Sequence, residues 1–237
     1  MPPYFEKQYW LKALKDPLWY LDLYPEYQRL IEYVNNHPEE RGKVKEALYS
    51  FIDTALENKQ ISLAQQGPNL DEERKPIDTI VIHHTKNKSG MTWRRLSAVH
   101  LIRLYTGYEG RKEAQETLFK ERKPIYSNHF RNGEQVFYSY HWLVRENGDV
   151  ERLLNDSEIG WHAGNWDINC RSVGICIDND HEDSTPSPTV VSAIRSIIDQ
   201  HYPTVDKSRI FGHREINPKT TCPGNTFLTE WKIKIVS

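Results

Sequence analysis

The spacing of apolar positions changes along the chain. From residue 5 to 63 they recur at helical intervals. Trp10, Leu11, Leu14, Leu18, Tyr20, Leu21 and Leu23 come first, interrupted by Pro17 and Pro25. Tyr27, Leu30, Ile31 and Val34 then share one stripe, which predicts a helix over about 26–35 ended by His37-Pro38. Val44, Ala47, Leu48, Phe51, Ile52 and Ala55 predict another over about 39–57. The following residues, 64–75, are polar and punctuated by Gly67, Pro68 and Asn69, as in a linker.

Beyond residue 76 the pattern shortens into strands. Ile80-Val81-Ile82 is β-branched and continuously apolar, the mark of a strand covered on both faces. Residues 172–178 read the same way, and Arg209-Ile210-Phe211 is a shorter buried strand. Asn147-Gly148 between two apolar runs predicts a hairpin of 135–144 with 149–154. Two helices alternate with these strands. One starts at Thr92 and carries Trp93, Leu96, Val99, His100 and Leu104 on one face. The other, 189–202, points Val190, Ala193, Ile194, Ile197 and Ile198 inward and is stopped by Pro203. The fold class is therefore α/β, a single mixed β-sheet flanked by helices over 76–237, preceded by a small all-α unit at 1–63.

Charge and hydropathy narrow the function classes. The 31 basic and 33 acidic residues leave a formal charge of −2, so no electrostatic footprint for nucleic acid is read. No apolar run approaches the roughly 18 residues of a membrane span. The segment Met1-Pro2-Pro3-Tyr4-Phe5-Glu6-Lys7 has neither a basic nor an apolar stretch of the secretory kind. The expectation is a cytoplasmic protein, or one released from the cytoplasm as phage-type lysins are. Cys170, Cys176 and Cys222 are odd in number and widely spaced, so no disulfide framework is predicted.

The chemistry concentrates near the C-terminal end. His213 closes a short strand, and Cys222 follows on a loop stiffened by Pro218, Pro223 and Gly224. An imidazole and a thiolate are ligands that zinc prefers. A third donor is offered by His83 or His84 at the end of the Ile80-Val81-Ile82 strand. Successive strand residues point to opposite faces, so one of the pair is a ligand candidate and the other packs or hydrogen-bonds. Spacing alone leaves both open.

His83-His84-Thr85, Tyr140-His141-Trp142, Trp161-His162-Ala163-Gly164, Gly212-His213-Arg214 and Thr220-Thr221-Cys222-Pro223-Gly224 follow one another in this order. Together they resemble the zinc-dependent N-acetylmuramoyl-L-alanine amidases, a family that includes phage amidases and the peptidoglycan recognition proteins, over roughly 76–235. The resemblance implies that Zn2+ is held by His83, His213 and Cys222. It also implies that Tyr140 assists as a proton carrier or oxyanion donor, and that Thr220 is a second helper, with Lys219 as its rival. It places His100, Trp161, His162 and Asn169 along the substrate groove. The implied substrate is peptidoglycan or its muropeptides; non-catalytic peptidoglycan receptors share the fold but typically lack the cysteine. Segment 106–134 looks like an insertion beside the compact family members. Cys176 stands where many relatives carry an acidic residue, and Asp178 is a candidate to fill that role. The N-terminal aromatics Tyr9, Trp10, Trp19, Tyr20, Tyr24 and Tyr27 are either core or a surface for a protein or cell-wall contact.

Overall fold

A computed structural model describes residues 6–106 and 126–237. Its sheet is organised around β1, Thr79–His84, every residue of which is buried. The strand lies between two parallel neighbours, as its unbroken β-branched run requires. The hairpin strands β2 (Phe130–Arg131) and β3 (Glu134–Gln135) form a separate two-stranded sheet. Next come β4 (Trp142–Val144), β5 (Val150–Arg152), β6 (Ser172–Ile177) and β7 (Ile210–Gly212), and the main sheet runs β5-β4-β6-β1-β7. Only the β4/β5 pair is antiparallel, so the sheet is mixed. The hairpin is tighter than its apolar pattern suggests. Gly148 takes a φ of +87° at the turn, and only Trp142–Val144 and Val150–Arg152 pair.

Among the described residues the α-helices are, in chain order, α1 (Lys7–Ala13), α2 (Trp19–Asn36), α3 (Arg41–Glu57), α4 (Trp93–Thr106), α5 (Trp166–Arg171), α6 (Pro188–His201), α7 (His213–Ile216) and α8 (Lys232–Val236). Ser187 caps α6 by accepting from the Val190 N–H. Val190, Ile194 and Ile197 of that helix then pack over Ile80, Ile82 and Ile175. Phe227, Trp231 and Ile235 close the same core. Alternation along β1 places His83 on the sheet face opposite to Ile80 and Ile82. Among the described residues no helix is long and apolar enough to cross a membrane.

Two features depart from the sequence pattern. Pro25 lies inside α2 and does not break it. A proline in a helix interior costs about 3 kcal/mol. Trp19, Tyr20 and Leu23 before it, and Tyr27, Leu30 and Val34 after it, are all buried on one helix, and each such burial contributes roughly 1.5–3 kcal/mol.

The second departure concerns the units. One compact unit comprises the described residues of Met1–Asn69 and Thr92–Phe137; the other comprises Leu70–Met91 and Tyr138–Ser237. The division thus differs from 1–63, 64–75 and 76–237. Helix α4 packs on α2 and α3, which assigns it to the N-terminal helices. Residues 70–75, expected as linker, are bonded into the sheet-bearing unit. Asp71 accepts from the Ile159 N–H at 2.7 Å. Arg74 Nη1 donates to the carbonyls of Asn169 and Ser172 at 3.0 and 2.9 Å. Of the expected insertion at 106–134, residues 107–125 lie outside the described residues, and 126–134 lie within the N-terminal helical unit.

Candidate metal centre

Three chain segments meet at the end of β1. His83 arrives on β1 itself. Gly212 ends β7 and leads into His213, the first residue of α7. Glycine is required there, because a Cβ would come within 2.6–2.8 Å of Phe227 and Pro223. The chain then turns back, and the Arg214 N–H donates to the Cys222 carbonyl at 2.7 Å, which returns the cysteine to His213. Gly224 sits at φ +129° and its Cα faces the His181 carbonyl, where a Cβ would lie 2.0 Å from the oxygen. The sequence pattern of stiff loop residues is thus realised as a hairpin-like return that presents the thiol.

The donor atoms of His83, His213 and Cys222 all lie within 4.8 Å of one another, and all three residues are buried. Cys222 Sγ is 3.7 Å from His83 Nδ1. Two donors sharing one tetrahedral zinc at about 2.0–2.3 Å would stand roughly 3.3–3.8 Å apart. The His84 N–H donates to the same sulfur at 3.4 Å, which favours the thiolate. His213 Nε2 is buried without a hydrogen-bond partner. Its ring bonds the Ala163 backbone, which leaves the Nε2 lone pair directed inward. Burial lowers the His213 pKa to about 4, against the raising effect of that bond, so the ring is neutral at pH 7. An unpaired buried acceptor costs about 1–3 kcal/mol. A neutral imidazole with an orphaned lone pair, beside a thiol and a second imidazole, fits a metal.

Around these donors the structure places the other residues singled out in the sequence. Tyr140 is buried, with its ring centroid 4.9 Å from that of His83. Thr220 is half-buried, and its hydroxyl accepts from the Cys222 N–H at 3.2 Å. Lys219 is exposed. Trp161 is half-buried and stands edge-on to Trp166 at 6.1 Å.

The remaining groove candidates turn inward. His162 is 3 % exposed and Asn169 0 %. His162 Nδ1 is 3.0 Å from His83 Nε2, and its Nε2 is 3.2 Å from Ser172 Oγ. Burial holds the His162 pKa well below the usual histidine range, with further lowering from His141 and His213. Asn169 Oδ1 accepts from the N–H groups of His162 and Ala163. Residues so enclosed offer no surface to a substrate. His100 belongs to the N-terminal helical unit, where it is 3 % exposed and bonded to the Phe137 backbone. Asp178 does not stand in for the acidic residue absent at Cys176. It is held by Arg145 at 2.5 Å and by the N–H groups of Gly90 and Met91.

His84, the other member of the histidine pair, hydrogen-bonds as one of the two had to. Its Nδ1 accepts from the His181 N–H at 2.9 Å, and burial lowers its pKa to about 4. Nε2 of the neutral ring therefore carries the proton and faces Glu182 Oε2 at 3.8 Å, which removes it as a ligand atom. Sequence reasoning missed Ser172, the Ala163 carbonyl and Glu182, whose carboxylate accepts from Thr221 at 2.6 Å beside the cysteine. Ala163 lies in a motif, but no motif signals its carbonyl, Ser172 or Glu182.

The fold and the donor set define a class: a mixed-sheet α/β unit gathering two imidazoles and a thiol at the end of its central strand. The chain belongs to the N-acetylmuramoyl-L-alanine amidase family, whose pattern matches residues 73–225, and it is an amidase. It is 24 % identical over 176 residues to the 1,6-anhydro-N-acetylmuramyl-L-alanine amidase AmpD of Haemophilus influenzae, covering 70 % of this chain and 86 % of that protein. It is 27 % identical over 89 residues to the endolysin of Enterobacteria phage K11, covering 35 % of this chain and 57 % of the endolysin. Among solved structures, the amidase LysC of Clostridium intestinale aligns with a TM-score of 0.49 at 20 % identity, over 74 % of this chain and 94 % of LysC.

Proposed function

We propose that the chain hydrolyses the amide joining N-acetylmuramic acid to L-alanine in peptidoglycan or muropeptides, with zinc held by His83, His213 and Cys222. The observation that carries this reading is the orphaned Nε2 of His213 converging with the His83–Cys222 pair. A zinc ion on three protein ligands polarises a carbonyl and brings the pKa of a bound water to about 7. The reaction adds water across the amide, releasing the lactyl carboxylate and the amine of L-alanine.

The chain's own groups supply the rest. Tyr140, whose ring lies against that of His83, offers a phenol that donates to the oxygen on which charge develops. The Thr220 hydroxyl, next to the thiol, is the second donor. Lys219 is its rival, since its side chain is exposed on the same loop. Trp161 keeps an accessible face for the sugar or stem peptide.

The test is mass spectrometry of purified sacculi and of soluble muropeptides incubated with the protein, with and without a zinc chelator. Stem peptides beginning at L-alanine, lost on chelation and restored by zinc, are expected. Cleavage that survives complete zinc removal would refute the assignment. Preference for sacculi or for soluble fragments separates a lysin from a recycling enzyme.

A further inference from the structure

Behind the two candidate imidazoles lies a single turn, Trp161-His162-Ala163-Gly164. Its His162 side chain meets His83 Nε2 at 3.0 Å, and the backbone of the next residue, Ala163, meets the ring of His213. Consecutive residues therefore address both imidazoles.

The proton inventory of this arrangement has one consistent solution. For His83 to offer a lone pair at Nδ1, which faces the Cys222 sulfur, its proton must sit on Nε2 and be donated to His162 Nδ1. His162 then carries its own proton on Nε2, directed to Ser172 Oγ at 3.2 Å. In His213 the bond to the Ala163 carbonyl takes the Nδ1 proton and leaves Nε2 as the lone pair. Both rings are thereby set in the tautomer that a metal requires.

The turn itself is clamped. Asn169 Oδ1 accepts from the N–H groups of His162 and Ala163 at 3.2 and 2.8 Å. The sheet makes room for the His162 ring at Gly174, where a Cβ would stand 3.1 Å from His162 Cγ. We propose that His162 is a positioning residue of the metal centre, fixing the tautomer and orientation of His83 from a turn clamped by Asn169. This inference rests on the zinc reading above. It assigns to His162 and Asn169 a task behind the ligands, where the motif resemblance had put them in the groove.

The experiment is zinc affinity by chelator competition on the full chain. Wild-type protein that binds no zinc would overturn the zinc reading itself. Given wild-type binding, His162→Leu is expected to weaken it about 10–100-fold, the usual consequence of losing an outer hydrogen bond to a ligand histidine. His162→Asn, whose Oδ1 stands where Nδ1 stood, is expected to stay within about threefold of wild type by the same reasoning. A purely structural role would move the melting temperature of both variants without this split. His162→Leu binding zinc as tightly as wild type would overturn the proposal. Should that variant fail to fold, long-range 1H–15N NMR of the zinc-loaded wild type decides. A proton on His83 Nε2 is expected, and a proton on His83 Nδ1 overturns it.

Discussion

Arg74 makes residues 70–75 part of the sheet-bearing unit, and its replacement tests that statement directly. Its Nη1 donates to the carbonyls of Asn169, Cys170 and Ser172 at 3.0, 3.3 and 2.9 Å, and its Nε to the carbonyl of Asp156 at 2.8 Å. Arg74→Met keeps most of the stem and removes every donor. Hydrogen bonds from a charged group contribute roughly 1.5–3 kcal/mol each. Cys170 keeps the Lys75 N–H at 2.9 Å, so its carbonyl loses least. Arg74 as a residue is half-buried, and water can replace part of what is removed. The expected cost is about 3–4 kcal/mol, a large share of a typical domain's 5–15 kcal/mol. Urea denaturation followed by circular dichroism measures the global loss. Hydrogen exchange across 166–177 should report the same loss locally, because that segment contains three of the four acceptors. A change below about 1 kcal/mol in both would refute the reasoning. Residues 70–75 would then be the linker that their composition suggests.

Cys222→Ala should weaken zinc by more than about a hundredfold, beyond the loss of an outer hydrogen bond, while leaving the helical circular dichroism intact; chelator competition checks it, and unchanged affinity would exclude the ligand role. Tyr140→Phe should lower kcat about 10²–10³-fold with KM within about threefold; steady-state kinetics on muropeptides showing a KM effect alone would make Tyr140 a binding residue. His100 gives a pH dependence of stability. Burial lowers its pKa to about 3 in the fold, against about 6.5 unfolded, so only the unfolded chain takes up the proton between these values. Its contribution is full above pH 6.5 and is lost as pH falls towards 3, by about 2 kcal/mol at pH 5. The loss of stability between pH 7.5 and 5, measured by urea denaturation, should shrink by about 2 kcal/mol in His100→Gln, with His84 and His213 keeping their own share, and an unchanged loss would refute the assignment. Deleting residues 1–69 should expose the face by which α4 packs on α2 and α3 and cause aggregation; a monomeric product in size-exclusion chromatography would contradict that packing.

What the sequence revealed follows from what each element depends on. The strands β1 and β6 and the helix α6 were legible because burial on a sheet demands β-branched runs, and because Val190, Ala193, Ile194, Ile197 and Ile198 recur at helical spacing up to Pro203. Pro25 misled because propensity is local, whereas the burial of Trp19, Tyr20 and Leu23 is decided by partners far along the chain. The allegiance of α4 was hidden for the same reason: an apolar face does not name what covers it. His213 and Cys222 could be paired through a stiff loop, and β alternation limited the histidine pair to one ligand. Which of the two it was came from the resemblance. His162 and Asn169 stood out as candidates in the sequence, but the direction of their side chains did not. A residue type does not say which way its side chain points, and Ala163 contributes a backbone group that every residue has.

The same geometry bears on the missing carboxylate at Cys176. That residue is fully buried beside His83 in the β1/β6 register, and its thiol donates to the Ile177 carbonyl at 3.6 Å. A carboxylate behind a ligand histidine raises the basicity of the ring and adds negative charge to the site. Here the partner of His83 is a buried imidazole held neutral, which does neither. Under the proposed assignment the protein's negative charge on zinc then comes from Cys222 alone, whose sulfur is itself drawn on by the His84 N–H. Two neutral rings and one hydrogen-bonded thiolate leave the ion about one unit positive, which favours polarising an amide carbonyl over binding zinc as tightly as possible. The absence of an acid at Cys176 is thus compatible with hydrolysis, because under the proposed assignment the orientation it would have provided is supplied by His162, whose ring lies over Gly174 on the same face of β6.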